Sequence, residues 1–211
     1  MALHRRVALF GGSFNPIHAG HLFVARSALK TFELDRVLFV PAAIPPHKQD
    51  LTLAPAGDRV AMIKLAIDDD DSLGMCLDEI ERGGTSYTVD TLRHVRRELD
   101  ESTHLYFIVG SDSLAELHLW RQWEVLLTLA TFITVARERA EARQALDKLA
   151  VHVDRGTVDH LEKHILEVEP HPASSTEIRR RMQQGESVED LVPVEVLEYI
   201  HEHKLYHEAP E

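Results

Sequence analysis

Residues Val7 to His21 read VALFGGSFNPIHAGH, and the rest of the chain is organised around them. Val7 to Phe10 is a short apolar run of the kind that forms a buried parallel strand. Gly11 and Gly12 follow at once, letting the backbone turn sharply and pass close to a ligand. Asn15-Pro16 redirects the chain toward a helical pattern at about Ile17 to Lys30. His18 and His21 then share one face of the first helical turn, and Gly20 leaves that face open. A strand end, a bare-backbone loop, a helix N-terminus and two imidazoles converge on one spot. That suits a polyphosphate.

Other readings fit less well. A Walker A loop needs a Gly-Lys-Ser/Thr ending and a dinucleotide fingerprint needs G-x-G-x-x-G; neither occurs. Two histidines at this spacing also suit metal ligation, but no third ligand lies near them in sequence. A glycine turn with two incidental surface histidines is the plain structural alternative. The whole string G-G-S-F-N-P-x-H-x-G-H is more specific than that. It resembles the H-x-G-H signature of the nucleotidylyltransferase superfamily, whose members transfer a nucleotide from a nucleoside triphosphate to a phosphate.

The composition is that of an ordinary globular protein: 211 residues, 44% hydrophobic and 27% charged. No apolar run approaches a membrane span, and no signal-peptide core is visible at the N-terminus. The single cysteine, Cys76, excludes an internal disulfide framework and fits a reducing, cytoplasmic setting. A formal net charge of −12 argues against a nucleic-acid-coating surface. It also repels anionic small molecules at long range, so a nucleotide enzyme of this balance concentrates cations locally and uses Mg²⁺. Homo-oligomerisation is left open.

Strand and helix patterns alternate along the chain, which reads as a parallel sheet covered by helices. Further strands are expected at Arg36 to Val40, Leu73 to Leu77, Leu105 to Val109, Phe132 to Val135 and Ile165 to Val168. Helices are expected at about Asp58 to Ile67, from Ser86 or Thr88 to about Leu99, after Gly110-Ser111-Asp112 through Trp120 and Trp123, and at about Glu138 to Leu149. The acidic run Asp68 to Asp71 reads as a solvated helix end. Ser174 to Glu177 is a Ser-x-x-Glu capping box that starts a helix ending at Gly185. A Ser-x-x-Asp box at Ser187 and a helix from about Pro193 to His203 complete the chain, packing beside the sheet. The expected architecture is α/β: a Rossmann-like doubly wound parallel sheet with helices on both faces and a small C-terminal helical subdomain. It forms one domain over residues 1–211, with the sheet core at about 1–170 and the C-terminal helices at about 174–205.

Each unusual loop follows an expected strand, and in open parallel sheets ligands bind at that rim. The set GGSFNPIHAGH, PPHK, GGTSYTVDTL, VGSDSLAELHLW and SSTEIR closely resembles the bacterial nicotinate-nucleotide adenylyltransferases, in order and over roughly residues 7 to 205. The resemblance implies a reaction in which ATP and nicotinate mononucleotide, with Mg²⁺, give deamido-NAD and pyrophosphate. No nucleophilic side chain is needed, because the acceptor phosphate attacks the α-phosphorus and catalysis reduces to positioning and charge stabilisation.

On that basis His18 and His21 are expected to donate to the α- and β-phosphates, with Lys48 and Arg179 as the catalytic cations. Gly11, Gly12, Ser13, Phe14 and Gly20 belong to the expected ATP site, as do Gly110, Asp112, Arg137, Ser175 and Thr176. Asp112 lies where the family places an acid near the ribose or metal, although a helix cap competes as a reading. Ser175, Thr176 and Arg179 form a cradle for pyrophosphate. His47, Lys48, Ser86, Tyr87, Thr88 and Trp120 form the expected acceptor site, with Trp120 as the stacking platform and the Ser86-Tyr87-Thr88 main chain reading the nicotinate carboxylate. Trp123 is read as core. No protein metal ligand is assigned, since Mg²⁺ arrives with ATP. Two departures from the family pattern stand out: Ala173 replaces a bulkier apolar residue, and Glu138-Arg139 replaces the Pro-Gly that usually follows Arg137.

Two rivals remain. A sister transferase on the same fold would use pantetheine phosphate, nicotinamide mononucleotide or a CTP-linked alcohol phosphate. The TSYT loop and Trp120 argue against these, since pantetheine and polyol phosphates need no aromatic platform. A nucleotide sensor has no use for phosphate-stabilising donors.

Overall fold

The computed structural model describes residues 5–44 and 53–206. The elements run β1 (Arg6–Gly12), α1 (Ala19–Thr31), β2 (Arg36–Pro41), α2 (Ala56–Ile67), β3 (Leu73–Met75), α3 (Asp78–Arg82), α4 (Thr88–Glu98) and β4 (His104–Gly110). They continue α5 (Ser111–Ala115), a 3₁₀ turn (Leu117–Leu119), α6 (Trp123–Leu129), β5 (Thr131–Ala136), α7 (Arg139–Leu149), α8 (Arg155–Glu162), β6 (Ile165–Glu167), α9 (Ser175–Gln183) and α10 (Val194–Glu202).

The six strands form one parallel sheet in the order β3-β2-β1-β4-β5-β6. Strand order therefore reverses between β1 and β4, and that is where such sheets take ligands. The register shows why a crevice opens there. β1 pairs with β2 as far as Gly12↔Pro41, but with β4 only as far as Phe10↔Ile108. Beyond that point β4 stays with β5 as far as Gly110↔Val135. The two central strands part, and their glycines line the gap.

Successive strand residues face opposite sides, so one sheet builds two cores. Ala8, Phe39, Tyr106 and Ile108 pack under α1 and α2. Leu9, Val40, Phe107, Val109 and Phe132 pack under α4, α5 and α7. Ile178 and Met182 of α9, with Val196 and Ile200 of α10, join the first of these cores. The C-terminal helices thus extend the α1–α2 layer, and Tyr199 of α10 donates to Asp58 of α2 at 2.8 Å.

Some local details differ from the sequence expectations. β3 stops at Met75, short of the expected Leu77, and the chain turns into α3, a short helix not among those expected. Neither Ser86 nor Thr88 caps α4: Tyr87 is its N-cap residue, with no side-chain bond. The stretch holding Trp120 and Trp123 is broken by Gln122 at φ 53°. α8 is an additional helix, capped by the Asp154 carboxylate accepting from Thr157 N–H at 3.0 Å. Ser187 Oγ accepts from Glu189 N–H but starts no helix. At α9 only half of the capping box forms: Ser174 Oγ accepts from Glu177 N–H at 3.2 Å, while the Glu177 carboxylate turns to Arg180 and Arg181. Asp70, within the acidic run, accepts from Ser72 N–H and from Arg26.

Candidate active site

His18 and His21 open α1 as a reciprocal cap. His21 N–H donates to His18 Nδ1 and His18 N–H donates to His21 Nδ1, both at 3.3 Å. The rings stack with centroids 3.7 Å apart. Because each Nδ1 accepts from a main-chain donor, each neutral ring carries its proton on Nε2. Burial, and secondarily the charge of His171, lowers the His18 pKa from 6.5 to about 4, so His18 is neutral at physiological pH. The reciprocal cap orients both rings, and His18 is held as a neutral Nε2–H donor.

Gly20 makes this stacking possible. A Cβ there would lie 3.1 Å from His18 Nδ1 and 3.2 Å from the Ala173 carbonyl oxygen. Gly12 is equally constrained, since its Cβ would meet the Phe14 ring at 2.9 Å. Phe14 itself sits at φ 45° with its ring buried against Phe10, Phe39 and His21. Any contact it makes with a nucleotide runs through its main chain.

The loop from Ser13 to Pro16 is held from three directions. Buried Arg59 of α2 donates to the Ser13 carbonyl at 2.8 Å and the Ala54 carbonyl at 3.1 Å. Arg179 of α9 donates to the Asn15 carbonyl at 2.7 Å, and Ser175 Oγ donates to the Pro16 carbonyl at 3.0 Å. Tyr206 OH donates to Asn15 Oδ1 at 2.8 Å. Each buried carbonyl finds its donor, as buried backbone requires. Arg179 also reaches Thr176 Oγ1 at 3.5 Å. Ser175, Thr176 and Arg179 are thus brought to the glycine loop, but Ser175 Oγ and Arg179 Nη1 are already engaged with it.

Two cavities open near this loop, one at the histidine pair and one at the glycines and Ser13. The first, about 520 Å³, is lined by His18, Gly20, His21, Gly110, Asp112 and Arg137, among others. The second, about 600 Å³, is lined by Gly11, Gly12, Ser13, Ser86, Tyr87, Thr88 and Trp120, among others. Gly110 and Asp112 border both, so the cavities meet at the crevice between β1 and β4. Each has the size of an ordinary small-molecule site. His47 and Lys48 lie outside the described residues.

In the second cavity Ser86 is buried and already committed. Its hydroxyl accepts from Ala43 N–H at 2.9 Å, and its N–H donates to the Ile44 carbonyl at 3.0 Å. Trp120 meets Phe107 edge-on, with centroids 6.4 Å apart. Buried Glu79 accepts from Thr91 Oγ1 at 2.8 Å, and desolvation raises its pKa above the usual carboxylate range. Trp123 lies in the partly buried layer packed on the second core, near His152.

Sequence reasoning did not single out His171 and Lys148 in the first cavity, or Glu79 and Arg121 in the second. Arg121 directly follows Trp120 and His171 lies three residues before Ser174, so proximity to the motifs was the available signal. Glu79 and Lys148 lie on helices and carry no motif. Among the described residues no group of three or more His, Cys, Asp or Glu is placed to hold a metal ion. None of the described helices is long and apolar enough to cross a membrane.

Comparison with known proteins shows the family and the fold. Residues 9–181 match the family described as cytidylyltransferase-like. A Synechococcus sp. (strain JA-2-3B'a(2-13)) protein named "Probable nicotinate-nucleotide adenylyltransferase" is 42% identical over 204 residues, spanning 96% of this chain and 98% of that protein. A Thermus thermophilus protein of the same name is 43% identical over 95% of this chain and 99% of its own length. The solved Plasmodium falciparum nicotinic acid mononucleotide adenylyltransferase complexed with NaAD shares the fold, with a TM-score of 0.73 at 20% identity over 99% of this chain and 100% of that one. On its family match and these full-length relatives, the chain belongs to the cytidylyltransferase-like family and, within it, to the nicotinate-nucleotide adenylyltransferases.

Proposed function

We propose that this protein transfers AMP from ATP to nicotinate mononucleotide, releasing pyrophosphate and forming nicotinate adenine dinucleotide. One observation carries the reading: two nucleotide-sized cavities meet at the strand switch point, one bordered by paired imidazole donors and the other by Trp120 and the start of α4.

The chemistry follows from what these groups can do. An oxygen of the acceptor phosphate attacks the α-phosphorus of ATP, the bond from that phosphorus to the bridging oxygen breaks, and pyrophosphate departs. Negative charge develops on the non-bridging and leaving oxygens, and preorganised N–H donors stabilise it most where water is excluded. His18 and His21, with Nε2–H fixed by their reciprocal cap, are suited to the α- and β-phosphates. Being neutral, His18 supplies a directed hydrogen bond rather than charge. Arg179 supplies positive charge for the departing pyrophosphate from its donors other than the one held by Asn15, beside the start of α9 with Ser175 and Thr176. Lys48 is assigned the other cationic role.

ATP enters as its Mg²⁺ complex, and the metal ion neutralises phosphate charge. Asp112, shared by both cavities, is the carboxylate assigned to that ion or to the ribose. Arg137 is assigned to the adenine side, with its main-chain N–H held by Glu141 at 3.2 Å. Trp120 is the platform for the pyridine ring. With Ser86 N–H committed to Ile44, the carboxylate-reading amides are those of Tyr87 and Thr88.

Pyrophosphate release from ATP and Mg²⁺, measured with nicotinate mononucleotide, nicotinamide mononucleotide or phosphopantetheine as acceptor, tests the reading. Strong release with the first, and the dinucleotide as product, is the expected result. Release with phosphopantetheine alone contradicts the acceptor assignment. Binding of ATP without release under any acceptor favours a sensor.

A further inference from the structure

The cavity bordered by Trp120 carries an electrostatic imbalance. Three carboxyl groups line it, Glu79, Asp112 and Glu116, yet Arg121 is the one lysine or arginine among the described lining residues. An acceptor whose pyridine end is a carboxylate meets mostly like charge there, and like charges in a shared site disfavour each other. Burial raises the Glu79 pKa, and the Thr91 hydroxyl, donating to its carboxylate, opposes that shift. Among the described lining residues, the positive contribution at this end comes from Arg121.

Arg121 is also held where it can act. Its guanidinium carbon lies 4.6 Å from the centre of the Tyr87 ring, and stacking of this kind fixes the plane of the guanidinium. Tyr87 is the N-cap residue of α4, so the cation sits beside the main-chain donors assigned to the acceptor carboxylate. Gln122, in the left-handed region at φ 53°, follows directly and turns the chain away into α6. Among the described residues Arg121 also faces the Asp90 carboxylate, with Nη1 to Oδ2 at 3.8 Å. That separation is beyond hydrogen-bond range, and with side-chain exposures of 52% and 37% the pair is screened by water. The donor fork is oriented by an aromatic ring and, among the described residues, makes no close ion pair.

We propose that Arg121 is a specificity-determining residue: its guanidinium, stacked on Tyr87, recognises the pyridine carboxylate and biases the enzyme toward nicotinate over nicotinamide mononucleotide. The inference rests on the acceptor proposed above and adds a side-chain cation to the main-chain donors.

The test compares kcat/KM for the two acceptors, at saturating ATP and Mg²⁺, in the wild type and in Arg121→Met and Arg121→Lys. Turnover of nicotinate mononucleotide by the wild type checks the underlying reading first, so its failure there is distinct from failure of the inference. In Arg121→Met the ratio of the nicotinate to the nicotinamide value is expected to fall roughly tenfold, the worth of one charge-assisted hydrogen bond. The change should reside mainly in KM for nicotinate mononucleotide, and Arg121→Lys should recover part of it. An equal loss with both acceptors would assign Arg121 to the shared phosphate or to the fold, and an unchanged ratio would remove it from recognition. Either outcome overturns the proposal.

Discussion

The His18 and His21 rings stack 3.7 Å apart, and each Nδ1 accepts the main-chain N–H of the other residue. A helix cap and a phosphate-facing donor pair are therefore the same structure. Truncation of His18 should uncouple them. His18→Ala is expected to lower kcat/KM by about 10²–10³, as loss of one oriented oxyanion donor does, and to lower stability by only about 1 kcal/mol through the lost cap. Steady-state pyrophosphate release and denaturant unfolding read the two effects separately.

The depressed His18 pKa has a consequence for stability. In the unfolded chain this imidazole takes up a proton near pH 6.5, whereas in the folded protein it does so only near pH 4. Between those values the unfolded state binds more protons, so stability falls as pH is lowered through the window. The contribution is on the order of 3 kcal/mol. His18→Gln, which lacks the titration, should show a shallower loss of unfolding free energy between pH 6.5 and 4.

Gly20→Ala sets two effects against each other. An alanine within a helix favours helix formation by about 1 kcal/mol relative to glycine. Its Cβ, however, would press on His18 Nδ1 at 3.1 Å and on the Ala173 carbonyl oxygen at 3.2 Å. The displaced ring should lower kcat by about tenfold or more, since small misplacements of donors are costly to catalysis. Thermal unfolding should change little by comparison. Unchanged kcat would show that the stacked geometry is not needed.

Arg59 and Tyr206 support the Ser13–Pro16 loop through its Ser13 carbonyl and Asn15 side chain. Arg59→Met leaves two carbonyls without their donor and should destabilise the fold by about 2–4 kcal/mol. Tyr206→Phe removes one hydroxyl while Asn15 Oδ1 keeps the Ala54 N–H at 3.0 Å, so its cost should be about 1 kcal/mol. Urea unfolding of the two variants checks the order of the effects.

The strands were legible because a parallel sheet buried on both faces is written as short apolar runs. Leu105 to Val109 was read within one residue of the ends of β4, and Arg36 to Val40 within one of β2. The i, i+3 spacing brought the two histidines together, although His18 is the extended N-cap residue of α1 rather than part of its first turn. Their chemistry was legible only through the resemblance of the whole string. What escaped lacked periodicity or was decided by tertiary contacts. α8 has only Val158 and Leu161 as large apolar residues to signal its register. α3, at five residues, is too short to carry a repeat. The engagement of Arg179 and Ser175 with the loop at Asn15 and Pro16 crosses more than 150 positions of sequence, and no local pattern encodes it. Arg121 was passed over because a lone arginine after a tryptophan acquires meaning only when Tyr87 is seen beneath it.

Attack at the α-phosphorus is the claim on which the rest depends, and transfer of radiolabel from ATP tests it most directly. With nicotinate mononucleotide as acceptor, label in the α-phosphate should pass into the dinucleotide product, and label in the γ-phosphate should leave entirely as pyrophosphate. Label from the γ-position in the acceptor, or release of γ-label as orthophosphate, would contradict the account.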